Sequence, residues 1–186
     1  MIGGKENAAS RGELRFPLPV GYVYDPDGKP VMDPDEEVRH AVSTLFRVFR
    51  SSGSAYGVVR YFAENNLSFP KRAYGGVWDG KITWGTLTHS RVLTAIHNPS
   101  YAGAYVYGRY RDNKTIHSDG RFTHHTVRLT DRNDWKVFIP DHHPAYISWE
   151  EFEENQKCLD SNRTNSERCG PAREGAALLP GILLCG

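Results

Sequence analysis

The stretch Asp33 to Phe49, DPDEEVRHAVSTLFRVF, constrains the fold of this chain most, because it combines a helix start with a one-sided apolar stripe. Asp33 is placed as an N-cap and Pro34 occupies the first helical position. The acids that follow lie over the positive end of the helix dipole, and Glu36 is spaced to close a capping box. Val38, Ala41, Val42, Leu45, Phe46 and Phe49 recur at intervals of three and four, so one face is core while Arg39, Arg47 and Arg50 fall mainly outside it. Such a helix needs a partner. Ser54 to Asn65 supplies one: Ser54 is the cap, and Tyr56, Val59, Tyr61, Phe62 and Ala63 provide apolar surface.

A third helix follows in Thr83 to Arg111, TWGTLTHSRVLTAIHNPSYAGAYVYGRYR. Thr83 or Thr86 is its expected N-cap, and Leu87, Val92, Leu93 and Ile96 lie largely along one side. Pro99 stops it, because the residue before a proline is driven away from the α conformation. The tyrosine, valine and glycine alternation of Tyr101 to Tyr110 then predicts a half-buried strand. Between the second and third helices, Phe69 to Ile82 (FPKRAYGGVWDGKI) lacks periodicity and reads as a loop or short ribbon. Two capped helices, a basic connector, a third helix and a strand give the order of a helix-turn-helix variant with a β wing. The predicted class is α+β: a helical DNA-binding domain with a helix-turn-helix-like core and a small antiparallel sheet or wing.

The flanking segments are shorter elements. Met1 to Ser10 reads as a flexible lead-in, and Arg11 to Phe16 as an extended arm running into Pro17 and Pro19. Val20 to Tyr24 and Lys29 to Met32 are strands joined by the turn residues DPDG. Beyond Arg111, Asp112 to Gly120 is turn-like, Arg121 to Leu129 alternates weakly, and Trp135 to Ile139 is a clearer strand. Ser148 caps a further helix, with Glu151 completing a second capping box and Trp149, Phe152 and Leu159 forming a narrow stripe. Ser161 to Glu174 has the composition of a linker and precedes the apolar Ala176 to Leu184.

Composition narrows the function. With 39% hydrophobic residues the 186-residue chain can build a core, yet its longest apolar runs are too short to span a bilayer. A soluble, cytoplasmic protein with no membrane partner is expected. Cys158, Cys169 and Cys185 match no disulfide framework and no finished zinc motif. Net charge is only +1, but residues 51 to 111 carry seven Lys/Arg against two Asp/Glu, which localises a basic zone in the third-helix region. Trp84, Tyr101, Tyr105 and Tyr107 are expected in the core. The pairs His124-His125 and His142-His143, with His117, match no metal-ligand spacing, and His143 is expected to be structural.

These stretches together resemble the recombinase domain of large serine recombinases, the phage integrases and transposon resolvases. The matching pieces are PLPVGYVYDPDGKPVMDPDEEVRHAVSTLFRVF, GSAYGVVRYFAENNLSFPKR, TWGTLTHSRVLTAIHNPSYAGAYVYGR, HPAYISWEEFEENQ and ALLPGILLCG, in the family's order from Arg11 to Gly186. The resemblance implies a connector arm at 1–16, a recombinase DNA-binding domain at 17–147, a helix and linker at 148–175, and the truncated start of a zinc ribbon at 176–186. It implies that this chain lacks the catalytic serine domain, which in the family forms a covalent phosphoserine with DNA, and so has no catalytic residue of its own. No cofactor is expected in the fragment. Zinc is implied for the parent protein, with Cys185 as the first ligand of an incomplete site.

The implied partner is a double-stranded DNA attachment site, bound as a half-site, with self-association in the parent. Arg11 and Arg15 are candidate minor-groove contacts, as the equivalent arm is in the family. Lys71, Arg72 and Lys81 are candidate phosphate contacts. Thr86, Thr88, His89, Ser90 and Arg91 are candidate base readers, and Arg109 and Arg111 candidate wing contacts. A competing reading is a protein interaction or oligomerisation module without DNA affinity, using the tyrosine-rich strand as an exposed edge. A metal-dependent hydrolase built on the histidines is disfavoured by their scatter.

Overall fold

The computed structural model describes residues 2–73, 80–116, 121–129 and 131–168. Among them the order is α1 (Ile2–Ser10), β1 (Tyr22–Tyr24), β2 (Pro30–Met32), α2 (Glu36–Ser52), α3 (Ala55–Glu64), β3 (Phe69–Arg72), β4 (Ile82–Gly85), α4 (His89–Ile96), β5 (Tyr105–Tyr107), β6 (Tyr110–Ile116), β7 (Phe122–Arg128), β8 (Val137–Ile139) and α5 (Trp149–Arg168). The class is α+β. All described strands pair antiparallel in twos: β1 with β2, β3 with β4, β5 with β8, and β6 with β7. The β structure is thus a set of separate two-stranded ribbons around a helical core. Two strands are marginal in water unless a face is covered, so the short ribbons depend on the body they pack against.

The core is the stripe read in α2. Leu45, Phe49 and Val42 are almost wholly buried and share one cluster with Val58 and Phe62 of α3 and Val92 and Ile96 of α4, and Val38 is buried on the same helix. Each large aliphatic or aromatic side chain so placed contributes about 2 kcal/mol of transfer free energy. Phe152 and Ile147 join the same cluster, so α5 packs into this core. A second feature is a tyrosine lock. The hydroxyl of Tyr22 donates to the carbonyls of Pro144 (2.8 Å) and Ser100 (3.0 Å), that of Tyr101 to Val20 (2.8 Å), and that of Tyr146 to Gly21 (2.8 Å). These hydroxyls tie the first hairpin to residues 100 and 144, and burial pushes the Tyr146 hydroxyl up to about 12. His143 is structural, its Nε2 lying 2.8 Å from the Ser100 carbonyl within this cluster.

Several boundaries differ from expectation. The N-cap of α2 is Asp35, whose carboxylate accepts from the Glu37 N–H (2.9 Å); Asp33 is instead buried and accepts from the Asp35 N–H. Met1 to Ser10 is not a flexible lead-in over its described part, because Ile2–Ser10 is helical, Ala9 is buried, and Glu6 pairs with Lys136 at 2.6 Å. The third helix starts at His89 with Thr88 as its N-cap, not at Thr83 or Thr86, because Ile82–Gly85 is paired with Phe69–Arg72 as a strand.

The continuous strand expected over Tyr101 to Tyr110 is broken. Asn98 caps a 3-10 turn at Pro99–Ala102, and Gly103 ends it at φ 72, where a Cβ would stand 2.7 Å from the His143 carbonyl. Asp112 to Ile116 is strand, not turn, because cross-strand pairing with Phe122 to Thr126 satisfies its backbone. Helix α5 continues to Arg168, through the first part of the segment read as linker. Cys169, Cys185 and His117 lie outside the described residues.

Candidate nucleic-acid interface

The arm, α4 and the root of the β6–β7 ribbon enclose an open groove of about 840 Å³. One wall is the arm from Leu14 to Val20. It is held in place by tyrosine hydroxyls: Tyr24 donates to the Phe16 carbonyl (2.9 Å) and accepts from the Phe16 N–H, while Tyr105 donates to the Leu14 carbonyl (3.2 Å). The Phe16 ring also packs on Tyr105, 5.3 Å between centroids. The rest of the lining comes from β3, α4 and the chain from Val106 to Tyr110. Lys71, Arg72, Arg91, Arg109 and Arg128 line the groove, and among the described residues no carboxylate does. A concave surface of one sign focuses potential, so a polyanion is the ligand class it suits.

The arginines are held to different degrees. Arg72 reaches inward, donating to the Tyr22 carbonyl (3.0 Å) and pairing with the buried Asp33 (3.2 Å). Arg91 donates to the Pro70 carbonyl (2.6 Å) and lies over the Phe69 ring at 5.0 Å, so it clamps α4 onto β3; burial holds its guanidinium below the usual arginine range. Arg72 was expected as a phosphate contact and Arg91 as a base reader. The fold engages one side of each, because a half-buried guanidinium needs carbonyl or carboxylate acceptors.

At the ribbon root, His97 caps the C-terminus of α4 and joins three elements. Its Nδ1 is 2.6 Å from Gln156 Oε1, whose amide nitrogen donates to the Ile96 carbonyl (2.9 Å). That arrangement makes Gln156 the acceptor, so neutral His97 is protonated on Nδ1 and its Nε2 accepts from Arg128 at 3.4 Å. The His97 carbonyl accepts from Arg109 at 2.9 Å. Burial, followed by the charges of Arg128 and Arg109, depresses the His97 pKa despite the Gln156 bond.

The remaining predicted residues fall on neighbouring surfaces. Lys81 and Thr86 are exposed around β4, while Thr88, His89 and Ser90 are exposed at the N-terminal turn of α4. Arg11 is exposed and pairs with Glu13; Arg15 lies over the Tyr24 ring at 5.7 Å. Arg111 is exposed on β6, on the face opposite Tyr110. Sequence reasoning missed Arg128, which the weak alternation of residues 121 to 129 did not mark but which pairs directly with Tyr110. It also misplaced Trp84. Cross-strand pairing with Pro70 leaves that indole 42% exposed, not a core plug.

Comparisons with known proteins identify the family and the fold. The family model Recombinase matches residues 36–162. An uncharacterized Sinorhizobium fredii (strain NBRC 101917 / NGR234) protein, y4bA/y4pH, is 45% identical over 187 residues, covering 99% of this chain and 26% of that protein. The chain therefore spans about a quarter of that relative's length. Among solved structures, a chain of an LSR–DNA complex aligns with TM-score 0.51 and 15% identity over 86% of this chain and 38% of its own. A chain from work on the sequence requirements of the Listeria innocua prophage attP site aligns with TM-score 0.54 and 17% identity, over 96% of this chain and 58% of its own. The chain belongs to the Recombinase family, and its fold is that of the recombinase domain of a large serine recombinase.

Proposed function

We propose that this domain binds duplex DNA at one half of an attachment site, as the recognition part of a site-specific serine recombinase whose bond-breaking serine lies in a separate domain. The observation that carries this reading is the groove lined by five cationic side chains and, among the described residues, by no carboxylate. The fold it shares with a chain of an LSR–DNA complex supports it. In this reading Lys71 and Lys81, both exposed, meet phosphates and set register. Thr86, Thr88, His89 and Ser90 present hydrogen-bonding side chains to base edges, while Arg91 and Arg72 hold the surface in shape. Arg11 and Arg15 follow the arm along the minor groove, and Arg111 contacts the backbone from the ribbon.

Titration of fluorescently labelled duplexes at several salt concentrations tests this. Affinity is expected to fall linearly on a log-log plot, with a slope set by the number of phosphates neutralised. No binding at low salt, or binding without a salt slope, overturns the reading. The ribbon exposes Tyr110, Phe122 and Val127, which is what an oligomerisation module would use. Light scattering showing a stable dimer, together with absent DNA affinity, would favour that second reading.

A further inference from the structure

Two arginines stand together at the root of the ribbon, and among the described residues no carboxylate forms a salt bridge with either. Arg109 precedes β6 and Arg128 ends β7, and both line the groove. Both are held by His97: its carbonyl accepts from Arg109 and its neutral ring accepts from Arg128. Tyr110 adds an edge, its hydroxyl accepting from the second terminal nitrogen of Arg109 at 3.1 Å.

This arrangement is costly for a free protein. The Arg128 guanidinium is held below its usual range first by burial and then by the like charge of Arg109, and Tyr110 and the more weakly acting Asp160 offset only part of this. Neutral acceptors fix the direction of both guanidiniums but do not cancel their charge. Among the described residues Arg109 bonds through two nitrogens and Arg128 through one, leaving donors of each planar fork to reach into the groove. A tetrahedral oxyanion with several acceptor oxygens answers both the charge and the fork geometry.

We propose that Arg109 and Arg128, aligned by His97 at the root of the β6–β7 ribbon, form a phosphate-binding site that grips one backbone phosphodiester. That the phosphate belongs to DNA rests on the function proposed above; the site itself rests on two guanidiniums that line one groove and are both held by His97. Gripping a phosphate there would set the angle of the ribbon to the duplex, because Arg128 belongs to its first cross-strand pair and Arg109 directly precedes the other member, Tyr110.

The test uses the full chain and its variants Arg109→Gln, Arg128→Gln and Arg128→Lys, in two measurements. In duplex titrations each Gln variant is expected to weaken binding to all sequences alike and to lower the salt slope by about one, while Arg128→Lys keeps the slope and loses part of the affinity. In thermal unfolding without DNA, inorganic phosphate is expected to raise the melting temperature of the parent chain above chloride at matched ionic strength, and not that of Arg128→Gln. If duplex binds and both Gln variants keep the parent slope and the parent phosphate response, the site is wrong and the function stands. If phosphate stabilises the parent selectively but no duplex binds, the site stands and the DNA reading falls. A Gln variant that fails to fold leaves Arg128→Lys and the parent's own phosphate response to decide, and a parent indifferent to phosphate overturns the proposal.

Discussion

At the scale of single residues, the groove depends on groups that work inside the fold. Arg72 and Asp33 form a largely buried pair, so their charges are compensated where water cannot reach them. His97 is the other such residue, and it carries a pH dependence. Its folded pKa lies below the ordinary histidine value, with burial the leading cause; His143 is shifted the same way, also chiefly by burial. Between the folded and unfolded values the unfolded chain binds more protons, so stability rises with pH across that window. The melting temperature is therefore expected to be level near neutral pH and to fall as the pH drops from about 7 through about 6, where the unfolded histidines take up protons. His97→Gln should remove its share of that fall. A parent curve that is flat in this range, or a variant curve that matches the parent's, would show that His97 is not neutral in the folded state.

Trp84 shows how a residue's neighbours decide its role. Its size suggests core, but β3–β4 is a two-stranded ribbon with one face uncovered, and the indole lies on the exposed side.

At the scale of elements, α2 was legible almost throughout, because a 3.6-residue apolar period over seventeen residues overrides most competing signals. Its start was two residues late, since Asp33, Asp35 and Glu36 are all competent near a helix N-terminus and only the Arg72 partner draws Asp33 into the interior. The cap is therefore testable. Replacing Asp35 with Ala is expected to cost about 1 kcal/mol in urea unfolding, and with Gly only a few tenths. Equal costs for the two would mean that the carboxylate bond to Glu37 contributes little. At the other end, Gly53 is left-handed at φ 62 and its N–H bonds the Phe49 carbonyl, an ending that fits the glycine seen in the sequence. The third helix was less legible. Thr83 and Thr86 have the chemistry of caps, but Ile82 to Gly85 gains a full set of partners from Phe69 to Arg72, and that pairing is not local in sequence.

At the scale of the molecule, three helices and α5 share one core while the ribbons hang from it, with β6–β7 the longest and least covered. Hydrogen exchange should separate them. Amides of α2 are expected to exchange only through global unfolding, whereas those of β6 and β7 open locally, much faster and without loss of the core. Equal protection of both would mean that the ribbon packs as part of the body. Among the described residues no helix is long and apolar enough to cross a membrane.

The amino-acid sequence alone settled the helices with strong stripes, the first hairpin, the capping serines at Ser54 and Ser148, and the middle location of the basic residues, because those signals act within a few residues along the chain. It also carried the family resemblance that the comparisons bear out. What only the tertiary structure decided is how each cation is held. Arg72 and Arg91 turn back to carbonyls and a carboxylate, Arg128 joins Arg109 from a strand that sequence periodicity scarcely marked, and His97 ties the ribbon to α4 and α5. The physical reason is that charge and desolvation are properties of a neighbourhood, assembled here from segments thirty to sixty residues apart, and no reading along the chain contains those distances.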